Sequence, residues 1–171
     1  MTATAPHTWA RRIGLALGLL LAVAAILVWR VPAEGRGLGA ELRMTVMPPG
    51  ELIAEPSGPF VVARRLRPDG HAAGGTVTIR NIAPRPVEVR ARAIPSSRDL
   101  DGLLRVELTI GGRPVAEGTL RELRGWSEAV RIENGARRTL EASVGLSADA
   151  RREHDGVILD VALELDAEVV R

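Results

Sequence analysis

From Leu42 to the end of the chain, apolar and polar side chains alternate with a period of two, and helical periodicity is almost absent. Leu104, Val106, Leu108 and Ile110 alternate with Arg105, Glu107 and Thr109, and Val87, Val89 and Ala91 alternate with Glu88, Arg90 and Arg92. Near the C-terminus, Val157, Leu159, Val161, Leu163 and Leu165 alternate with Ile158, Asp160, Ala162, Glu164 and Asp166. A strand sends successive side chains to opposite faces, so this pattern describes strands that bury one face and wet the other. The spacing predicts strands at 42–47, 60–66, 76–81, 86–93, 103–110, 129–132, 138–146 and 157–169.

Glycine and proline separate these runs at Pro48-Pro49-Gly50, Pro68-Asp69-Gly70, Ala83-Pro84-Arg85-Pro86, Gly111-Gly112 and Glu133-Asn134-Gly135. Many short strands punctuated in this way predict an all-β fold, a single antiparallel β-sandwich of jelly-roll or immunoglobulin-like type over residues 41–171. Gly111-Gly112 suits a tight hairpin, because glycine reaches the positive φ that primed turns need. Residues Gly118 to Gly125 can hold one helical turn, with Leu120 and Leu123 three apart.

Ahead of the β region, residues Ile13 to Trp29 form an uncharged apolar run of seventeen residues, preceded by Arg11-Arg12. As a helix it is roughly 25 Å long, enough to cross a hydrocarbon core of about 30 Å with slight thinning. Trp9 and Trp29 bracket it where indoles settle at membrane interfaces. The reading is therefore a basic n-region (1–12), a transmembrane anchor or signal h-region (13–29), a Gly-rich linker (30–40) and an extracytoplasmic domain. A retained anchor and a cleaved signal peptide both fit. The run is longer than the usual h-region, and Val31-Pro32-Ala33 offers only a weak small-residue cleavage pattern. The chain has no Cys, which excludes a lipid-modified terminus. Membrane contact through Ile13 to Trp29 is the expected partner interaction, with localisation at the bacterial cell membrane or, after cleavage, at the cell surface.

Net charge is only +2 despite abundant arginine. No arginine cluster is interleaved with aromatics, so a nucleic-acid partner is not expected. Catalytic patterns are equally thin. His71 and His154 lie in no His-Glu-x-x-His helix. Glu153-His154-Asp155 reads as a surface turn, Asp99-x-Asp101-Gly102 has too few ordered oxygens for calcium, and Ser96-Ser97 lacks a Gly-x-Ser-x-Gly context. No cofactor, metal or catalytic residue is expected. Trp126 is the one aromatic besides Phe60 beyond the membrane-proximal region. It reads either as an indole plugging one end of the sandwich or as an exposed binding anchor.

Ser57-Gly58-Pro59-Phe60, Gly75-Thr76-Val77-Thr78-Ile79-Arg80-Asn81, Asp101-Gly102-Leu103-Leu104, Gly118-Thr119-Leu120, Asn134-Gly135 and Asp155-Gly156-Val157 follow one another in an order that resembles the TasA/camelysin family of exported bacterial surface and biofilm-matrix proteins. The resemblance implies an amino-terminal export segment, a jelly-roll-like sandwich and, for some members, fibres built by strand exchange. The chain departs from the family in lacking aromatic residues in its final strand, Val161 to Glu168, and a clear cleavage site. On this resemblance, Glu41, Leu42, Arg43, Met44, Thr45, Val46 and Met47 form the expected strand-exchange segment of a non-catalytic, self-associating surface or matrix protein. The alternative is a membrane-anchored, immunoglobulin-like module that binds another envelope protein. The absence of lysine and of a Leu-Pro-x-Thr-Gly signal disfavours a covalently polymerised pilin.

Overall fold

The alternating runs become strands in two stacked sheets. A computed structural model describes residues 40–68, 72–150 and 156–170. Its strands are β1 (Ala40–Met47), β2 (Leu52–Glu55), β3 (Pro59–Leu66), β4 (Ala73–Asn81), β5 (Val87–Pro95), β6 (Leu104–Ile110), β7 (Arg113–Thr119), β8 (Val130–Ile132), β9 (Arg137–Leu146) and β10 (Ile158–Val169), with a single 3₁₀ turn at Glu122–Arg124. One sheet, A, has the order β3-β1-β10-β5-β8, and the other, B, has the order β2-β4-β9-β6-β7. The expected all-β, two-sheet sandwich is the architecture observed. The apolar run at 13–29 and the linker before residue 40 lie outside the described residues. Among the described residues no helix is long and apolar enough to cross a membrane.

Two strands escape the periodicity argument. β2 is only four residues, and β7 carries Pro114 and buries only Val115 deeply. Both lie at the edges of sheet B, where one side of a strand has no ladder and proline is tolerated. The Gly111-Gly112 hairpin is present between β6 and β7, with φ of 60° and 77° at the two glycines. Every other connection crosses from one sheet to the other, so the remaining Pro/Gly punctuation marks sheet-crossing corners.

One pairing departs from an antiparallel sandwich. β1 runs parallel to β10, from Glu41 opposite Ile158 to Met47 opposite Glu164, and antiparallel to β3. Sheet A is therefore mixed. Period-two alternation is the same for a half-buried strand in either direction, so the sequence pattern carries no sign of this.

The core is aliphatic. Leu42, Met44, Leu108, Leu140, Leu159 and Leu163 are completely or almost completely enclosed, and each adds about 1.5–3 kcal/mol of burial. Two polar side chains are buried among the described residues, Asp101 and Asn81, the latter a fully enclosed amide. Its Nδ2 donates to the carbonyls of Arg85 (2.9 Å) and Ile132 (3.0 Å), and its Oδ1 accepts the Ala83 N–H (2.8 Å). Two of these bonds tie β4 to the loop that follows it and the third ties β4 to β8 in the opposite sheet, so a buried polar group here fixes one corner of the sandwich. At Gly75 the two sheets come unusually close: a Cβ there would lie 1.8 Å from the Phe60 carbonyl oxygen.

Candidate functional site

β1 occupies the middle of its half of sheet A. Ala40, Leu42 and Met44 point into the core and are buried, whereas Glu41, Arg43, Thr45 and Met47 face outward. The Arg43 guanidinium donates to Glu41 Oε1 from Nε (3.2 Å) and Nη2 (2.9 Å), an exposed pair along the strand. The Glu41 N–H donates to the Val157 carbonyl at 2.8 Å. All seven residues of the sequence-derived segment thus lie on one strand, laddered on both sides. β1 joins β2 in the opposite sheet through Pro48-Pro49-Gly50-Glu51. The strand is therefore tied covalently at one end by a short proline-rich crossing.

Trp126 lies outside the core, 39% exposed, so it does not plug the sandwich. The neighbouring Ser127 pairs with β5: its N–H donates to the Ala91 carbonyl (2.8 Å), and its Oγ accepts the Ala91 N–H (3.0 Å). This anchoring sets the indole against outward side chains of β5, with the Arg92 guanidinium carbon 4.4 Å and that of Arg90 5.7 Å from the ring centre. Both arginines also pair across to β10, Arg92 with Glu164 (2.6 Å) and Arg90 with Asp166 (2.7 Å). The result is a cation-π and ion-pair lattice on the outer face of sheet A, far richer than a lone exposed aromatic.

The remaining sequence candidates are not brought together. Asp101 turns inward, and its Oδ2 pairs with Arg124 Nη2 at 2.5 Å. Asp99 instead accepts a hydrogen bond from Ser97 Oγ (2.8 Å). Ser96 Oγ accepts the Asp160 N–H (3.1 Å), which leaves it a strand-end bracket with no base beside it. His71 and Glu153-His154-Asp155 lie outside the described residues. Among the described residues no group of three or more His, Cys, Asp or Glu side chains is placed to hold a metal ion.

The helical turn expected within Gly118 to Gly125 is present as the 3₁₀ turn Glu122–Arg124, but sequence reasoning missed the capping interaction of Thr119-Leu120-Arg121-Glu122 ahead of it. Its Thr-x-x-Glu spacing was a legible capping signal. Glu122 Oε2 accepts the Thr119 N–H (2.6 Å) and the Thr119 hydroxyl (2.9 Å), and the Thr119 Oγ1 accepts the Glu122 N–H (3.4 Å). The backbone bond from Thr119 first, and its hydroxyl second, hold the Glu122 carboxyl below its ordinary value, with Arg105 and Arg121 adding smaller pulls. This turn borders a depression of about 400 Å³ on the outer face of sheet B, lined by Arg105, Glu107, Glu117, Glu122, Ser143 and Gly145 among others.

No family model matches the chain, and no curated protein matches it. Among solved structures, the N-terminal domain of PorA aligns with 75% of this chain and 89% of that one, at 7% identity and a TM-score of 0.28, a likeness too slight to bear on fold or activity.

Proposed function

We propose that this chain is a non-catalytic, exported bacterial surface or matrix protein, delivered to or across the membrane by Ile13 to Trp29, whose sandwich self-associates by exchanging β1. The observation that carries this reading is the place of β1 in sheet A. Without β1 and β2, strands β3 to β10 order as β3-β10-β5-β8 over β4-β9-β6-β7, and this alternation between sheets supports a jelly-roll reading of the domain. β1 is then an extra strand seated in the seam between β3 and β10. Leaving it empty would uncover two strand edges and the pocket filled by Leu42 and Met44, at a cost of about 3–6 kcal/mol for those two side chains alone. The same strand from a second copy restores every one of these contacts, so exchange is nearly neutral in energy and is decided by concentration and by the Pro48-Pro49 hinge.

A chain shortened to begin at Gly37 keeps all of β1 and frees its leading end. It is expected to form species larger than a dimer as concentration rises, whereas the full chain in detergent does not. A shortened chain that remains monomeric at high concentration over days contradicts strand exchange. The outcome would then favour the second reading, an anchored module that binds another envelope protein. Trp126 supports that alternative, because its arginine-backed indole is the kind of rigid amphipathic group that anchors interfaces.

A further inference from the structure

The outer faces of the two sheets differ in how their charges are paired, although each carries facing carboxylates, Glu88 opposite Glu168 on sheet A and Glu107 opposite Glu117 on sheet B. On sheet A three arginines are paired, Arg90 with Asp166, Arg92 with Glu164 and Arg43 with Glu41. Sheet B carries two like-charge pairs of opposite sign. Arg80 is directly opposite Arg137 across β4 and β9, and Glu107 is directly opposite Glu117 across β6 and β7. All four are exposed, and none of them forms a side-chain ion pair among the described residues. Like charges facing each other across a ladder destabilise the isolated sheet.

The two clashes sit at opposite corners of one face. Glu141 lies opposite Thr109 and Glu107 opposite Ser143, which gathers the acids toward β6 and β7. Arg105 stands next to Glu107 and Glu122, leaving that corner net negative. Along β9, Arg137 is about 13 Å from Glu141 and about 20 Å from the row of Ser143. Apart from Glu141, the outward positions of β4 and β9 from the basic corner to the acidic row are small: Gly74, Thr76, Thr78, Thr139 and Ser143. These small side chains keep this part of the face low, so another sheet face can approach it.

We infer that the outer face of sheet B is a docking surface for a second copy of this chain, packed face to face about a twofold axis that lies in the interface and crosses β9 near Leu140. Such an axis exchanges the two corners, so Arg80 and Arg137 of each copy meet the Glu107–Glu117 corner of the other. A self-complementary, isologous contact is what this dipolar pattern provides, and it turns two intramolecular clashes into two intermolecular attractions. Five strands spaced about 4.8 Å apart and about 24 Å long offer roughly 580 Å² in projection, the size of a weak, rapidly reversible dimer. The contact uses none of β1 and is independent of strand exchange.

The test is sedimentation of the full chain in detergent, comparing wild type with Arg80→Glu/Arg137→Glu and with Glu107→Arg/Glu117→Arg. Wild type is expected to dimerise reversibly at about 50 mM salt and to weaken by about tenfold at about 500 mM, where the screening length shrinks from roughly 14 Å to about 4 Å. Each double variant should lose self-association, since like corners then meet. An equimolar mixture of the two should recover a dimer, because one copy is now acidic at both corners and the other basic at both. Glu107→Gln is the conservative check: it should weaken the dimer without lowering the thermal midpoint, as it relieves the clash with Glu117. A wild type that stays monomeric at low salt, variants that associate like wild type, or a mixture that does not recover would each overturn the inference. Strand exchange is told apart by its slow onset and its insensitivity to salt.

Discussion

At the residue scale, burial follows the alternation closely, and the exceptions come from contacts between sheets. Leu108 and Leu163 are both fully enclosed. Truncation to alanine at either is expected to cost about 2–5 kcal/mol in denaturant unfolding. Glu107→Ala, one position away, should stay within about 0.5 kcal/mol or stabilise slightly, because it removes a carboxylate facing Glu117. Equal losses at neighbouring positions would overturn the register. Gly75 and Gly145 make a second contrast. A Cβ at Gly75 would press on the Phe60 carbonyl, whereas a Cβ at Gly145 meets nothing within 4 Å. Gly75→Ala should therefore cost about 1–3 kcal/mol, as overpacking does, and Gly145→Ala should change stability little. Which residues face inward could be read from the sequence, since periodicity is a property of each strand alone. The need for glycine at 75, and the three hydrogen bonds of the buried Asn81, could not, because each depends on a segment distant in the chain.

At the scale of the elements, long strands were legible and short edge strands were not. β6 and β10 have enough alternating positions to declare themselves, while β2 and β7 are short or interrupted by proline. The turn after β7 was legible only as a helical possibility, and its Thr119–Glu122 capping bonds define it. Because Glu122 is held below its ordinary value of 4.5 by bonds to its ionised form, its stabilising contribution is complete above that value. It is lost as pH falls through the lower folded-state value. The difference in unfolding midpoint between wild type and Glu122→Ala should accordingly be constant near neutrality and shrink in acid. A difference that holds at every pH would show that the carboxylate charge plays no part in the turn.

For the whole molecule, sheet order was the part the sequence concealed. Alternation reports faces but not neighbours, so it could not reveal that the first strand lies parallel to the last or that it separates β3 from β10. That arrangement makes β1 the element on which the proposed function turns, and it also changes how the function is tested. A proline at Thr45 would harm the monomer as well as any assembly, since β1 is laddered on both sides. Cross-linking is cleaner. Thr45 faces Ala162 across β1 and β10, and the chain has no cysteine of its own, so Thr45→Cys/Ala162→Cys places a single disulfide within the distance that adjacent strands allow. The decisive measurement is the size distribution over days of this double variant, in the chain beginning at Gly37, with and without reductant. If β1 exchanges, the oxidised protein forms nothing larger than the rapidly reversible, salt-sensitive dimer, whereas the reduced protein assembles slowly into larger species with rising concentration. Equal assembly in both states would contradict exchange of β1.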